Sequence, residues 1–368
     1  MRSLILISKI AARLGCKQIV YGLLKSLPIF SPRYNICHSF EEAVGFCQSI
    51  YKDDGGSCIR DYSVQNQCKK RYDLEIIVPV YNVERYVEEC IESILAQKTR
   101  FTFHLTIVND GSTDCSRDIL KKYETFKNIT IIDQDNEGFS GARNTGIRNA
   151  NGTYLMFVDS DDRLPQGAIE ALMSEAIVND CDIVQGGYER FDASGIINRH
   201  LPEGTLSGFA WGKVYKADVW NGIQFPERYW FEDTISALVI NCDVVRKSTV
   251  EQVVYDWRKN LNSISFKSVG RPKVLDTIYV TLKLLEDRAR LGLPENKDFK
   301  EALILQLKIN ARRIYSLNNK ELDYANYVIS RYIFDKYIRN DLAVLQDNIS
   351  KALLTNNYKH FILASCFL

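Results

Sequence analysis

The sequence has few histidines and no closely paired cysteines. Four histidines and ten cysteines are spread over 368 residues, without a C-x-x-C pair. This composition excludes the common cysteine and histidine zinc sites. Cys37, Cys47, Cys58 and Cys68 follow one another at near-even spacing, which would suit a disulfide ladder in a secreted protein. The start of the chain lacks the pattern of a secretory signal peptide, so we expect reduced thiols and a cytoplasmic protein.

The chain also lacks a strong net charge, internal repeats and low-complexity segments. Its formal net charge is +1, with 46% of its residues hydrophobic and 25% charged. Such a composition is typical of globular proteins and gives no overall field that would attract nucleic acid. The length is that of roughly two domains. We therefore predict a folded protein without a nucleic-acid partner.

Acidic residues are absent from the N-terminal end as far as Phe40. Arg2, Lys9, Arg13 and Lys17 fall within one helical sector while apolar residues fill much of the remainder, which predicts a basic amphipathic helix. Lys9 and Arg13 interrupt the apolar run well short of the ~20 residues that a membrane-spanning helix needs. Two interpretations stay open: the segment 1–30 lies on an anionic membrane surface, at the inner face of the plasma membrane, or the helix packs on the body of the protein.

A regular alternation of strand and helix patterns begins at Leu74. The runs "LEIIVPVYN", "FHLTIVNDGSTD", "NITIID" and "TYLMFVD" read as strands, and amphipathic or glycine-rich helical segments separate them. This order predicts an α/β fold with a mostly parallel sheet flanked by helices, in which ligands bind beyond the carboxyl ends of the strands. Another helix, a strand and a less regular stretch follow, and the pattern turns helical after Gly270.

Three carboxylates crowd the end of the fourth predicted strand, in "FVDSDD". Like charges this close repel one another, so a positive group is expected among Asp159, Asp161 and Asp162. Mg²⁺ and Mn²⁺ prefer oxygen ligands and often use one or two protein carboxylates together with phosphate oxygens and water. A D-x-D triplet alone is a weak signal, because acidic turn residues are common and mostly solvated. Its position at a strand end favours a cation site.

Glycine is missing where other nucleotide-binding proteins carry it. No G-x-G-x-x-G follows the first strand, which argues against dinucleotide binding. The segment "VPVYNVERYV" also lacks the glycine-rich, basic loop expected of a nucleotidyltransferase. Asp110 ends the second strand, where it would accept a hydrogen bond from a nucleobase or cap a turn. Arg143 follows Gly138 and Gly141 and would lie across a diphosphate.

Several motifs in one order resemble a known enzyme family. The runs "IIVPVYNVERYVEECIESILAQ", "IVNDGSTD", "NEGFSGARNTGI" and "GTYLMFVDSDD" are similar to the nucleotide-sugar half of family 2 glycosyltransferases. The later runs "WGKVYKADVW", "FPERYWFEDT" and "VYDWRKNLNSIS" resemble the acceptor-side segments of that family. The resemblance implies a GT-A fold and sugar transfer from a nucleoside diphosphate with inversion. We therefore divide the chain into four regions. Residues 1–72 form an N-terminal extension, and residues 73–187 form the nucleotide-sugar-binding half. Residues 188–270 form the acceptor-binding and catalytic half, and residues 271–368 form a helical C-terminal region.

The same resemblance implies a role for each matched residue. The base pocket would be lined by Pro79, Tyr81 and Glu84, with Asp110 accepting from the base. The donor would also contact Asn136, Gly138, Arg143, Asp159, Ser160 and Arg258. Asp161, with Asp159, would hold Mn²⁺ or Mg²⁺ against the departing diphosphate.

On the acceptor side, Asp233 of "FEDT" matches the catalytic base of the family. Glu232 is its rival, since adjacent carboxylates at a helix start are often only dipole partners. Trp211 and Trp230 would stack on sugar faces or belong to the core.

The resemblance implies a hexosyl- or N-acetylhexosaminyltransferase with a UDP-sugar donor. Its acceptor would be a hydroxyl of a glycan or polyprenyl-linked glycan, used to build surface polysaccharide. Two alternatives remain from the residues themselves. One is a nucleotidyltransferase of related α/β fold, and the other is a non-catalytic partner that binds sugar nucleotides. The D-x-D triplet and the Glu232-Asp233 pair argue against the second.

Overall fold

A computed structural model of the protein describes residues 2–26, 37–60, 70–260, 263, 267–341 and 347–366. Side chains are described from Ile7 to Lys25 in the first of these ranges. The chain divides into two compact units, and each is considered by itself. The helical unit comprises Met1–Asp54, Ile264–Leu282 and Pro294–Leu368, and the sheet unit comprises Gly55–Ser263 and Lys283–Leu293.

The described part of the sheet unit contains an eight-stranded sheet. In chain order the strands are β1 (Tyr72–Val80), β2 (Phe103–Asp110), β3 (Ile129–Gln134), β4 (Gly152–Phe157), β5 (Ile183–Asp192), β6 (Gly195–His200), β7 (Lys213–Lys216) and β8 (Lys247–Arg258). Their spatial order is β3-β2-β1-β4-β7-β5-β6, and β8 pairs with β5.

The first four strands form the parallel half that the sequence predicts. β1 lies between β2 and β4 and is parallel to both, and β3 pairs in parallel with β2. Their continuous apolar runs are typical of strands covered on both faces, and β1 is buried from Leu74 to Val80. The predicted fold class, a mostly parallel α/β sheet flanked by helices, is confirmed.

The second half of the sheet is more regular than the sequence indicates. β7 pairs antiparallel with β4 and with β5, and β5 forms a hairpin with β6. β8 runs parallel to β5 within the stretch that we expected to be irregular. Its residues lack clean alternation because only the segment Val254–Asp256 is fully buried. The predicted boundary at residue 187 falls inside β5, so a single sheet crosses it.

Four helices connect the parallel strands or follow them. They are α4 (Val87–Leu95), α5 (Ser116–Leu120), α6 (Gly138–Asn149) and α7 (Ala168–Val178). The helix predicted from Glu84 starts three residues later, because Asn82 has a left-handed backbone (φ 51°) and turns the chain after β1. The core of the unit lies between these helices and the sheet and includes Ile76, Ile91 and Leu172.

The N-terminal and C-terminal regions are helical, as predicted. The helices are α1 (Arg2–Arg13), α2 (Lys17–Ser26), α3 (Phe40–Ile50), α8 (Asp276–Arg290), α9 (Lys297–Tyr315), α10 (Lys320–Tyr337), α11 (Asn348–Leu354) and α12 (Tyr358–Cys366). Within the described residues, no helix is long and apolar enough to cross a membrane. The described cysteines carry free thiols, and Cys68 lies outside the described residues.

Candidate active site

The site lies where the parallel strands end. In the register of the sheet Val80 is opposite Asn109, and Ile77 is opposite Phe157. The residues that follow each strand therefore meet at one edge, which brings the loops after β1, β2 and β4 together. Asp110 is the last residue of β2, and Asp159 lies two residues beyond β4.

Asp110 has one satisfied oxygen and one that is not. Its side chain is 1% exposed, and Oδ1 accepts hydrogen bonds from the Gln134 amide (2.7 Å) and the Glu137 backbone N–H (2.9 Å). Oδ2 is buried and has no hydrogen-bond partner within the part of the chain that the structure describes. A buried acceptor without a hydrogen bond costs free energy. Oδ2 is therefore suited to accept a hydrogen bond from a ligand.

The loop after β1 is tied to the loop after β2. The Asn82 side-chain oxygen accepts from the Thr113 backbone N–H (2.7 Å), and Glu84 Oε2 accepts from the Cys115 backbone N–H (2.9 Å). In the loop after β1, Tyr81 is 48% exposed, and Pro79 is buried within β1. Of the residues predicted for the base pocket, Glu84 thus fixes the loop, while Tyr81 offers its ring at the edge.

The segment before α6 lies directly over the end of β2. Asn136 donates its amide to the Asp110 carbonyl (3.0 Å). Gly111 has a φ of 70°, and a Cβ there would stand 3.0 Å from the Asn136 backbone nitrogen, so a side chain would not fit without a shift. Gly138 begins α6 with a φ of 77°. These contacts place Asn136 beside Asp110, with Gly138 two residues further along the chain, and the contact of both with a donor stays a prediction.

Arg143 lies between two carboxylates instead of facing open space. It is 6% exposed, donates to Asp159 Oδ1 (2.6 Å) and forms an ion pair with Glu232. Burial alone would lower the pKa of Arg143, but the two carboxylates raise it above its ordinary value. Arg143 therefore links the end of β4 to the segment that contains Glu232 and Asp233.

The three aspartates after β4 have different partners. Asp162 is 1% exposed and accepts from the Tyr255 hydroxyl (2.8 Å) and from the Arg258 backbone N–H (2.6 Å). Asp161 accepts from the Asn260 amide (2.8 Å) and forms no ion pair with the described residues. Burial raises the pKa of Asp161, and the Asp159 carboxylate adds to this effect.

The donor set suits a hard cation that is also held by phosphate. The Asp161 carboxylate has a pKa that is raised by burial and forms no ion pair with the described residues. In the neighbouring Asp159, the second carboxylate oxygen lies outside the ion pair with Arg143. No cluster of three metal-ligating side chains occurs in the described ranges. A cation here would have few protein ligands and would complete its shell with phosphate and water, as Mg²⁺ commonly does. The residues fit such an ion on those terms.

Arg258 is held against the acidic loop. Its guanidinium pairs with Glu89 (2.6 Å) and donates through Nε to the Asp161 carbonyl (2.7 Å), and it lies 4.9 Å from the centre of the Tyr86 ring. Ser160 is buried at the turn. In this arrangement Arg258 supports the loop that carries Asp161.

The acceptor side contains two unlike carboxylates. Glu232 is buried and bound to Arg143, whereas Asp233 is half-buried. Burial raises the pKa of Glu232 above its ordinary value, Arg143 opposes the effect and the Asp233 charge adds to it. The two neighbours are therefore suited to different tasks.

Lys213 and Tyr255 are site residues that the sequence did not reveal. Lys213 is fully buried and donates to the Ser207 carbonyl (2.8 Å) and to the Phe209 carbonyl. Burial lowers its pKa to about 7, and the Asp233 carboxylate opposes this. Tyr255 accepts from the Asp159 backbone N–H (3.0 Å) while it donates to Asp162. In the sequence, both residues stand out only because they lie in the runs "WGKVYKADVW" and "VYDWRKNLNSIS", which resemble acceptor-side segments of family 2 glycosyltransferases.

The tryptophans do not form a free sugar platform at Trp211. Its ring stacks on Phe209 (4.5 Å between centroids) and on Tyr255 (4.4 Å). It is 8% exposed and belongs to the main core of the sheet unit. Of the two roles predicted for Trp211, the structure supports the core.

Comparison with known proteins gives a consistent match. The family model "Glycosyl transferase family 2" matches residues 75–250. Glycosyltransferase GlyA of Streptococcus pneumoniae is 36% identical over 178 residues, which cover 41% of this chain and 25% of GlyA. Minor teichoic acid biosynthesis protein GgaB of Bacillus subtilis is 40% identical over 124 residues, covering 32% of this chain and 14% of GgaB. The chain thus spans a quarter or less of each of these two relatives.

Among solved structures, the mannosyltransferase PcManGT of Pyrobaculum calidifontis, in complex with GDP-Man and Mn²⁺, aligns with a TM-score of 0.48 at 15% identity. The alignment covers 99% of this chain and 96% of PcManGT. The family model covers most of β1, all of β2 to β7, the start of β8, the acidic edge and the Glu232-Asp233 pair described above. The chain therefore contains a Glycosyl transferase family 2 domain.

Proposed function

We propose that the protein is an inverting glycosyltransferase that moves a sugar from a nucleoside-diphosphate sugar to a hydroxyl of a glycan or polyprenyl-linked glycan. The observation that carries the proposal is the buried Oδ2 of Asp110, which has no partner among the described residues and lies at the edge that holds Asp159 and Asp161. A binding function for nucleobase and diphosphate accounts for both features. The family 2 domain makes transfer of a sugar the matching reaction.

The free acceptor on Asp110 favours a uracil base. Uracil presents one ring N–H donor next to carbonyl oxygens, and one free carboxylate oxygen satisfies it. Guanine presents adjacent ring N–H and amino donors that would engage both oxygens, but Oδ1 already accepts from Gln134 and Glu137. Tyr81 is exposed and follows Val80, which is opposite Asn109 in the sheet, so its ring would supply an aromatic face to the base. The donor we propose is therefore a UDP-sugar.

The diphosphate would face the acidic loop after β4. Asp161, with Asp159, would hold a divalent cation there, and such an ion neutralises the charge of the leaving diphosphate. Asn136 and Gly138, at the start of α6, would contact the donor from the other side. Arg258 would keep the loop in place through the Asp161 carbonyl and would be in reach of a phosphate only if it left Glu89.

Asp233 is the base we propose. In a single displacement the acceptor oxygen attacks the anomeric carbon, its proton passes to a carboxylate, and the bond to the diphosphate breaks with the electron pair leaving on the diphosphate. Glu232 is buried and already paired with Arg143, so its carboxylate is not accessible to an acceptor hydroxyl and acts as a support. Asp233 is half-buried and lies beside it in sequence, so it combines access with a fixed backbone.

The acceptor class rests on similarity alone. The name of GgaB assigns that protein to minor teichoic acid biosynthesis, and the match supports a role for this chain in surface polysaccharide synthesis. A hexosyl or N-acetylhexosaminyl group would be the sugar transferred.

The test separates donor binding from chemistry. A thermal-shift series with UDP, GDP, dTDP and CMP in the presence of Mn²⁺ should give the largest stabilisation with UDP, because bound ligand stabilises the folded state. Asp233→Asn should keep the shift with UDP and lose transfer by a factor of about 10² to 10⁴. Glu232→Gln is the matched control and should retain more activity. A normal rate for Asp233→Asn would reject Asp233 as the base, and the absence of any shift with nucleotides would reject the function.

A further inference from the structure

The N-terminal helices α1 and α2 pack on the helical unit through a small number of residues. Ser8 and Ala11 of α1 are 4% and 2% exposed, and Tyr21 of α2 is 8% exposed. These three positions define the inward face of the helices. The packing that we left open from the sequence therefore exists, but it uses only part of each helix surface.

The outward face of α2 is apolar as well. Ile19 and Leu23 are 67% and 64% exposed. Each lies two positions from Tyr21, which places it about 160° around the helix axis from the inward face. A helix that only packs on its own protein carries polar residues there. The exposed pair thus needs an explanation other than folding.

Helix α1 also exposes apolar and basic residues. Ile7, Ile10 and Leu14 are exposed by 36%, 48% and 72%. Lys9 and Arg13 are exposed on the flank of this apolar strip. We call the exposed residues of the two helices, Ile7, Ile10, Leu14, Ile19 and Leu23, the N-terminal apolar strip.

The charges carried by the two helices themselves have one sign, although the Asp347 carboxylate lies near Tyr21 on their inward face. The sequence has no acidic residue before Glu41, and Lys25 is exposed at the end of α2. Burial lowers the pKa of His360 in α12, and the charges of Lys25 and Lys359 lower it further, which indicates that positive charge also collects next to α2. Helices that expose apolar side chains and whose own charges are all basic complement an anionic lipid leaflet.

We propose that the N-terminal apolar strip docks on an anionic lipid surface, with α1 and α2 lying in the interface and not crossing it. A second copy of the chain fits the strip less well. A symmetric dimer would bring the same patch against itself and would place Lys9 and Arg13 near their own copies without an acidic partner from this segment. The proposal stands on the helices alone and does not depend on the reaction proposed above.

Vesicle flotation of the full chain tests the proposal. Phosphatidylcholine vesicles with phosphatidylglycerol should bind the protein, and vesicles of phosphatidylcholine alone should bind it much less. Ile19→Ser with Leu23→Ser should lower the partition coefficient about tenfold or more, since two apolar side chains leave the interface. Lys9→Gln with Arg13→Gln should lower it about fivefold per charge and weaken its dependence on salt.

Leu305→Ser is the matched control, because Leu305 is 52% exposed on α9 of the same unit but lies outside the strip. It should leave flotation unchanged, and an unchanged thermal midpoint would show that each variant is folded. Equal binding of wild type and Ile19→Ser/Leu23→Ser would overturn the proposal. A second outcome would also overturn it: no vesicle binding by either protein, together with light scattering that shows a dimer of the wild type and a monomer of the double variant. The strip would then join two copies of the chain.

Discussion

Replacing Arg143 tests whether its two ion pairs hold the active-site edge together. Arg143→Met keeps a long apolar side chain but removes the guanidinium that contacts Asp159 and Glu232. Glu232 would then be a buried carboxylate next to Asp233 without its counter-ion. We expect the sheet unit to lose stability and the acceptor side to lose its fixed geometry.

The size of the effect follows from burial. Arg143 and Glu232 have side chains that are 7% and 8% exposed, so water cannot replace the lost partner. Removal of one member of a buried pair typically costs about 3–5 kcal/mol. Arg143→Met with Glu232→Gln removes both charges of this pair and should recover roughly 1–3 kcal/mol of that loss, which is the usual coupling between contacting residues.

Urea unfolding followed by tryptophan fluorescence reports on the correct unit, because all four tryptophans lie between residues 211 and 257 of the sheet unit. Arg117→Met is the control. Arg117 also contacts two carboxylates, but those of Asp133 and Glu124 are about half exposed, so its loss should cost about 1 kcal/mol or less. If Arg143→Met costs no more than Arg117→Met, or if Glu232→Gln recovers nothing, the pairing does not stabilise the edge.

Two further predictions concern other carboxylates. Chelation with EDTA or the change Asp161→Ala should abolish transfer, since the diphosphate and the aspartates would repel one another, and transfer at full rate in excess EDTA would contradict the cation site. In the helical unit, Asp323 is 2% exposed with both oxygens unbonded in the described chain, and burial raises its pKa to about 7. Because the folded state then keeps a proton that the unfolded state has released, stability should fall from about pH 4 to about pH 7, by up to ~1.4 kcal/mol per pH unit. Asp323→Asn should remove this slope in unfolding measured from pH 5 to 8.5, and identical slopes for both proteins would show that Asp323 does not carry it.

The parallel half of the fold was predictable because its information is local. Each strand from β1 to β4 is a short apolar run with a polar residue at its end or two residues beyond it, and each connection has a helical pattern. Parallel order then places Asp110 and Asp159 at one edge without further information. The residues of β8 gave no comparable signal, since one partner strand and partial burial leave a mixed pattern.

The partners of the charged residues were not predictable, because they join distant parts of the chain. The neighbouring glycines in the sequence predict that Arg143 binds a phosphate. Its contacts instead depend on the position of Glu232, which is 89 residues away in the chain. Nothing in the sequence around Lys213 indicates burial, yet it is fully buried. The ion pair of Arg143 and the burial of Lys213 follow from tertiary packing, which no spacing rule specifies.

The arrangement of charge explains why the edge would need its ligands. Arg143 neutralises Asp159 and Glu232, and Asp162 is stabilised by the hydroxyl of Tyr255 and a backbone N–H. Asp161 accepts the Asn260 amide and is influenced by the charge of Arg258, yet burial keeps its pKa above the ordinary value. A divalent cation would supply the missing positive charge, and the oxygens of a diphosphate would complete its ligand shell, since the carboxylates and the diphosphate repel one another without the cation. Donor and cation should therefore bind as a pair, so UDP affinity should fall when Mn²⁺ is removed, and the fall should disappear in Asp161→Asn.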